Sequence, residues 1–459
     1  MSGWKFSLTP KKVPQIETKY RKIATKLPVP ESLEIFKTLN QCESISMHGQ
    51  LPVVWDRAED FRVHDPWGNS WIDFTSTIFV TNAGHGNKEV VKALNKLLDK
   101  PLLHSYTFAT LIRAKFLKKL IEISPSRFEK CFLLSAGTEA TECALKLMRM
   151  FAMKKGKRRP GIIALEGNWH GRTMGAQMMS DNKKQKEWIG YQDPNIFYLP
   201  FPYPWRQIDN PRDFFHESIE ELIQREGLNP CKDICGFMLE TFQGWGAVFY
   251  PEEYIQEIRI FADENDILIA FDEMQSGFAR TGKFFGYMHY GIDPDLICCG
   301  KGASSSLPLS FVLGPSEIMD LPEIGSMSST HSANPLCCAA GLANLNFILD
   351  NNLAERSRKL GDNFFDHLKK IKSKYHHVIS WVLGKGLVAA VHFNDIDGNP
   401  LNDFASIICE KAMQKGLLLV HTGRESIKLA PPLTIEEDAL EEGLAVLDEA
   451  IYEAMEESL

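Results

Sequence analysis

The 459-residue chain is missing many of the spacings by which a sequence declares its chemistry. Its ten cysteines form no CxxC pair and no HExxH occurs, so neither spacing supports a zinc site. Two cysteine pairs, Cys298-Cys299 and Cys337-Cys338, sit side by side inside apolar runs. That is the usual setting of buried, reduced thiols and points to a cytoplasmic compartment. No apolar run approaches the roughly 20 residues that cross a bilayer, so no membrane role is expected. The first 26 residues are Lys-rich without the apolar centre of a secretory signal. They read as a solvated arm, with a mitochondrial transit role as the weaker alternative. There is no surplus of positive charge: the net charge is −8, and Glu436 to Glu457 contain no Lys or Arg. Bulk electrostatics therefore give a nucleic-acid role no support. No GxGxxG follows a strand-like run, and "GKG" at 300–302 has neither a Ser/Thr after the lysine nor a glycine five residues before Gly300. Dinucleotide and P-loop readings both fail on these residues. Internal repeats and low-complexity segments are absent as well.

What is present is an ordinary globular composition, 44% hydrophobic and 24% charged, long enough for a large core and a second domain. The opening fifty residues read as an extended arm leading into a helix. "FRVHDPWGNSWIDF" alternates around a Pro-Trp-Gly-Asn turn and predicts a hairpin. From about 85 to 330 short apolar runs alternate with helical stretches: "CFLL" (131–134), "GIIAL" (161–165), "ICGFMLE" (234–240), "ILIAFDE" (267–273), "DLICC" (295–299) and "LSFVLG" (309–314). This is the α/β pattern of a mainly parallel sheet covered on both faces. Later helices are predicted at roughly 334–350, 353–374 and 403–415, around strand-like "ISWVLGKGLVAAVHF", "LLLV" and "SIKL". Thr434 and Glu437 form a capping-box pattern ahead of a helix whose Leu440, Leu444, Leu447 and Ile451 share one face. The expected division is an N-terminal arm and part of a small domain (1–84), a large domain (85–335) and a C-terminal α+β domain (336–459).

Open α/β sheets place ligands at the carboxyl ends of their strands, and several polar signals fall there. "SAGTEA" follows "CFLL" and opens a helix, whose unpaired N–H groups and partial positive charge suit a phosphate. Gly137 permits close approach and Thr138 adds a hydroxyl, although small polar residues begin many helices. "GNWHGRT" follows "GIIAL" and offers Trp169 as a flat face and Arg172 as a planar cation; a turn with a packed Trp and a surface Arg is the plainer reading. Glu240 ends "ICGFMLE". Asp272, in "AFDEMQSGFARTG", ends the next strand or caps a turn. Lys301 follows the four apolar residues of "LICC". A lone lysine is usually solvated, but one in a buried region is either paired or covalently used.

Together these groups select pyridoxal 5′-phosphate (PLP) as cofactor. Lys301 is the Schiff-base amine, and Asp272 holds the pyridine nitrogen protonated, since a nearby anion favours the charged form by about 1–3 pKa units. A protonated ring is the stronger electron sink. Gln275 is placed for the ring hydroxyl and Trp169 for one ring face. No metal is called for.

These stretches resemble the class III aminotransferases, the fold-type I PLP group that includes ornithine and 4-aminobutyrate aminotransferases. "VHDPWGNSWIDF", "TNAGHGN", "SAGTEATECALKLMR", "GNWHGRT", "ETFQGWG", "FDEMQSGFARTG", "CGKGASSSLPLS", "STHSANP" and "IKLAPPLTIEE" follow the family's order over residues 50 to about 440. The resemblance implies a large mainly parallel αβα domain and a smaller α+β domain built from the C-terminal part and the N-terminal segment. It further implies a homodimer with active sites at the subunit interface. Thr330, in "STHSANP", matches the residue that donates a hydroxyl to the phosphate of the neighbouring subunit's cofactor. Gly137 and Thr138 match the phosphate-cradling pair, and Glu240 lies at the cofactor edge. Lys301 is also the implied proton shuttle. Arg172 matches an arginine that, in several members, binds a carboxylate remote from the reacting amine.

Two departures bear on substrate. Where ornithine and 4-aminobutyrate aminotransferases have a movable Glu–Arg pair for the α-carboxylate, this chain has Trp245 and Lys428. Lysine lacks the bidentate fork of arginine. Lys428 is either a carboxylate ligand or a strand residue facing solvent; Trp245 either narrows the site or packs under the loop. The glycines usual after the Schiff-base lysine are replaced by Ser304, Ser305 and Ser306. The first expectation is a transaminase passing an amino group from a primary amine, with a terminal (ω) one preferred, to a 2-oxo acid. A racemase, epimerase or aminomutase on the same scaffold is the alternative. A non-catalytic scaffold ranks last, because it would be free to lose Lys301, Asp272 and Gln275.

Overall fold

The computed structural model describes residues 4–458; the first three residues of the expected arm and the last residue of the expected C-terminal domain lie outside them. The chain divides into two compact units. One gathers Met1–Asn87, Trp245–Ala247 and Leu353–Leu459, the other Lys88–Gly244 and Val248–Asn352.

The larger unit is built on a seven-stranded sheet. In chain order its strands are β1 (Lys130–Leu134), β2 (Gly161–Leu165), β3 (Ile196–Leu199), β4 (Ile234–Glu240), β5 (Leu268–Asp272), β6 (Leu296–Cys299) and β7 (Ser310–Gly314). Their spatial order is β1-β7-β6-β5-β4-β2-β3. β7 runs antiparallel to both neighbours, and the pairings among β2 to β6 are parallel. Residues of β2, β4 and β5 are buried on both faces, which is why these strands read as unbroken apolar runs rather than alternating ones. β3 escaped the sequence reading: "IFYL" is four residues long and its burial alternates, so no continuous run marks it.

Helix α1 (Gly137–Lys154) packs across the sheet through Ala140, Ala144, Leu147 and Met148, all essentially buried. Gly236 on β4 is what admits it. A Cβ there would stand 2.2 Å from the Met148 sulfur. The unit extends to Asn352, beyond the expected 335, because the helix Pro335–Asp350 packs on the helices Lys88–Leu98 and Leu111–Glu122.

The smaller unit joins the two ends of the chain. Leu417–Leu418 pairs in parallel with Ser70–Asp73 in a six-stranded sheet, and the hairpin expected around Pro66 is present, with Val63 opposite Trp71. Its turn is fixed by Asp65, whose Oδ1 accepts the N–H groups of Trp67 and Asn69 at 2.9 and 2.8 Å. A four-stranded antiparallel sheet carries Ile379–Lys385, Val388–Phe393, Val420–His421 and Ser426–Leu429. The C-terminal helix Glu437–Ser458 buries Leu440, Leu444, Leu447 and Ile451 as its periodicity predicts. The capping box does not form as read: Thr434 Oγ1 donates to Asp60 Oδ1. Asp60 is a half-buried carboxylate whose pKa burial raises, and it draws the hydroxyl away from the helix start. Among the described residues no helix is long and apolar enough to cross a membrane.

Candidate active site

The carboxyl ends of β1, β2, β4, β5 and β6 converge on one cavity of about 330 Å³, within the roughly 300–1,000 Å³ of small-molecule sites. Its lining includes Gly137, Thr138, Trp169, His170, Arg172, Glu240, Asp272, Gln275 and Lys301. Eight of these nine are expected from the sequence; the ninth, His170, lies within "GNWHGRT" but carries no local mark of a role. Asp272 and Glu240 are register partners on adjacent parallel strands, so their carboxylates leave the sheet side by side.

Each wall has a physical cause. α1 begins at Gly137 with Ala136 as its N-cap, a residue with no side-chain acceptor. Glu139 reaches back to the Ser135 and Ala136 N–H groups, both at 2.9 Å. The Gly137 and Thr138 N–H groups have no partner among the described residues. An 18-residue helix thus opens on the cavity with free donors and its positive end. A Cβ on Gly137 would meet the Met274 sulfur at 2.8 Å and one on Gly300 would meet it at 2.6 Å, so the two glycines make room for Met274 in the floor. Thr138 Oγ1 lies 2.6 Å from Thr173 Oγ1, which ties the helix start to the loop after β2. Gly171, at φ +143, brings that loop close enough that a Cβ would overlap Thr138.

On the same loop the Trp169 N–H donates to Glu240 Oε2 at 3.0 Å, and Gly244 N–H donates to Glu240 Oε1 at 3.1 Å. Glu240 is 4% exposed and acts as a buried clamp between two loops. The exposed Arg172 guanidinium lies 4.6 Å from the Trp169 ring centroid, a cation–π contact that holds the indole plane.

Asp272 is oriented by two bonds: Oδ1 accepts from Met274 N–H at 3.0 Å, and Oδ2 lies 3.0 Å from His170 Nδ1. The side chains of His170 and Asp272 are 0% and 5% exposed. His170 Nε2 takes a hydrogen bond from Asn168 Nδ2 at 3.1 Å, which leaves Nδ1 as the donor toward Asp272. The neighbouring Glu273 faces away from this arrangement. Fully buried, it accepts from Thr241, Ser276, Gly286 and Tyr287 at 2.7–2.8 Å and pins the glycine-rich loop.

Lys301 follows β6 with φ +43, a left-handed conformation that a non-glycine residue adopts at a cost. Its amine has no hydrogen-bond partner among the described residues. Burial lowers its pKa below the ordinary lysine value, while Asp272 and then Glu240 pull it back upward. The serines that replace the usual glycines make a local turn instead of lining the cavity: Ser304 Oγ donates to the Leu307 carbonyl and accepts from Ser306 N–H at 3.2 Å.

Thr330 is not brought to the cavity. It is exposed on the loop before the helix Pro335–Asp350, with its carbonyl 2.8 Å from His104 Nε2. Trp245 and Lys428 belong to the smaller unit. There the Arg424 guanidinium lies 3.6 Å from the Trp245 ring centroid. Lys428, 6% exposed, places Nζ 4.6 Å from the Phe79 ring centroid. The solvent-facing alternative for Lys428 is therefore wrong, since its strand is flanked on both sides by paired strands and its side chain is buried.

The family profile "Aminotransferase class-III" matches residues 45–451. The chain belongs to the class III aminotransferases. It is 32% identical to an alanine/serine racemase of Pyrococcus horikoshii over 98% of this chain and 96% of that protein. It is also 32% identical to an acetylornithine aminotransferase of Caldanaerobacter subterraneus subsp. tengcongensis, over 88% of this chain and 96% of that protein. Among solved structures, an amine transaminase from an uncultivated Pseudomonas species in a PLP-bound form superposes with a TM-score of 0.81 at 25% identity. That likeness covers 90% of this chain and 97% of the other. The enzyme is accordingly a PLP-dependent transferase of fold type I. The residues present fit the cofactor: an uncapped helix start for a phosphate, a semi-buried amine with a lowered pKa, and a strand-end carboxylate held by two donors in one cavity.

Proposed function

We propose that the enzyme transfers an amino group from a primary amine, with a terminal (ω) amine or amino acid as the donor class, to a 2-oxo acid through two half-reactions. One observation carries the reading: a desolvated lysine amine and an oriented aspartate carboxylate line one 330 Å³ cavity, close enough that the carboxylate raises the amine's pKa. When bound, PLP supplies an electron sink for the bonding pair released as the substrate carbon loses a proton. The remaining work falls to the chain. Lys301 Nζ, whose pKa burial lowers, would take the proton from the substrate carbon and return one on the cofactor side. Asp272 holds a proton on the ring nitrogen, and His170 keeps the Asp272 oxygen directed. The Gly137 and Thr138 N–H groups and the Thr138 hydroxyl bind the phosphate. Trp169 covers a ring face, Gln275 reaches the ring hydroxyl, and Glu240 fixes the loops that carry Trp169 and Gly244.

For substrate, Arg172 and Lys428 are the carboxylate-binding cations and Trp245 contributes apolar surface. The working form is a homodimer in the cytoplasm in which Thr330 reaches the neighbouring cofactor's phosphate.

The likeness to the Pyrococcus alanine/serine racemase favours a second reading, in which the proton returns to the opposite face of the same carbon. One experiment separates the two. The PLP-loaded enzyme is given a single enantiomer of an amino donor and no acceptor. A transaminase releases one equivalent of the donor's carbonyl product per site and stops, whereas a racemase releases none and inverts the amine-bearing carbon of a chiral donor. Lys301→Ala abolishes either reaction; undiminished turnover in that variant refutes the assignment.

A further inference from the structure

We propose that the segment Leu103–Tyr106 is a latch that positions Thr330, so that His104 and Tyr106 are positioning residues for cofactor binding in the opposite subunit. The inference rests on the reading that Thr330 serves the neighbouring cofactor, and it adds the device that holds the threonine there.

Three hydrogen bonds join the two segments, all within the larger unit. His104 Nε2 lies 2.8 Å from the Thr330 carbonyl; a carbonyl only accepts, so Nε2 carries the proton. The Tyr106 hydroxyl donates to Ser328 Oγ at 3.0 Å. Asn334 Nδ2 donates to the Leu103 carbonyl at 2.7 Å, while Asn334 Oδ1 accepts from Leu336 N–H at 2.9 Å and caps the following helix. The His104 and His331 rings also meet edge to face, 5.3 Å between centroids.

The loop closes on itself as well. Ser332 N–H and Oγ both donate to the Ser329 carbonyl, at 3.2 and 2.8 Å. The backbone on either side of Thr330 is thereby fixed. Thr330 itself is exposed, and its hydroxyl has no partner among the described residues. A residue whose carbonyl is tied down and whose hydroxyl is left outward is organised to bind something outside its own fold. Because these ties lie within the larger unit and involve no ligand, the loop is ordered before the hydroxyl is used, which lowers the entropic cost of binding.

The test is a PLP titration of the apoenzyme followed by intrinsic fluorescence, on dimers verified by gel filtration. Thr330→Ala weakens PLP binding about tenfold, the size of one lost charge-assisted hydrogen bond. His104→Ala weakens it about three- to tenfold, and His104→Gln, whose amide still donates, recovers most of the loss. The double variant His104→Ala/Thr330→Ala binds no more weakly than Thr330→Ala alone, because His104 acts only through the threonine. Tyr106→Phe, which removes a single hydroxyl, gives a smaller loss with the same non-additivity and keeps the test available if His104→Ala does not fold. Weakened binding in Thr330→Ala with unchanged binding in His104→Ala and Tyr106→Phe overturns the latch and leaves the Thr330 reading intact. Unchanged binding in Thr330→Ala overturns both. Additive losses in the double variant also overturn the latch, since His104 would then act elsewhere.

Discussion

The pairing of His170 with Asp272 yields the sharpest quantitative expectation. Both side chains are essentially buried, and the carboxylate has two recorded donors, one of which is the imidazole at 3.0 Å. An anion beside a ring nitrogen favours the protonated ring by about 1–3 pKa units, or about 1.4–4 kcal/mol. Asp272→Asn keeps the shape and removes the charge, so removal of the substrate proton should slow by about 10- to 1,000-fold. His170→Ala leaves the charge but frees its direction. A hydrogen bond to a charged group contributes about 1.5–3 kcal/mol, which sets the loss at about 10- to 100-fold. In the double variant there is no anion left to orient, so it should be no slower than Asp272→Asn. The assay is stopped-flow absorbance of the PLP-loaded enzyme with donor alone, protonated against α-deuterated donor, so that the isotope effect identifies the proton-transfer step. Full additivity of the two losses would refute the reasoning, because His170 would then act on something other than Asp272.

Further expectations follow from the same site. Capture of PLP by the apoenzyme requires a neutral Lys301 amine, so the capture rate should rise with pH up to that amine's lowered pKa and flatten above it. Glu240→Gln, which removes an anion that raises this pKa, should shift the limb to lower pH; an unmoved limb counts against the electrostatic cause. Glu273→Ala removes the acceptor of four hydrogen bonds, three from the loop between Glu273 and Tyr287 and one from Thr241. At about 1–3 kcal/mol for each orphaned group the loss should exceed about 4 kcal/mol, read as fast hydrogen exchange at the Gly286 and Tyr287 amides. Gly137→Ala drives a Cβ toward the Met274 sulfur and should weaken PLP binding while Met274→Ala in the same chain restores part of it.

The cavity was largely legible in the sequence because its residues sit at strand ends, where an apolar run terminates on a polar side chain. "LIAFD" and "FMLE" announce Asp272 and Glu240 in that way. Lys301 was legible because a lysine one glycine past "LICC" contradicts its apolar surroundings. His170 was passed over for the opposite reason: a buried histidine between a tryptophan and a glycine has no local mark, and its meaning comes from an aspartate 102 positions later. Strand β3 was missed because four half-buried residues give neither a run nor a long alternation. The Thr434 capping pattern misled because the pattern is local, whereas the competing acceptor, Asp60, is 374 residues away.

The departures at Lys428 and Trp245 bear most on substrate, and the smaller unit gives them physical content. Phe79, whose ring meets the Lys428 ammonium, ends a run of four consecutive left-handed residues, Ser76 to Phe79, with φ between +45 and +70 and no glycine among them. Left-handed L-residues cost about 1–2 kcal/mol each, so a run of four is retained only where the surroundings hold it. Ser76 Oγ bonded to the Ala430 carbonyl is one such restraint, and Ala430 is two residues from Lys428. Strain is thus stored beside a buried cation rather than at a distant surface. If Lys428 binds a substrate carboxylate, Lys428→Met should raise KM for the 2-oxo acid by at least tenfold, because the methionine keeps the bulk and loses the cation. Lys428→Arg should lower that KM toward the value of a bidentate site, or fail to fit beneath Phe79 and raise it. A Lys428→Met enzyme with unchanged KM for every acceptor but reduced stability would assign the lysine to packing, and the carboxylate would then fall to Arg172 alone.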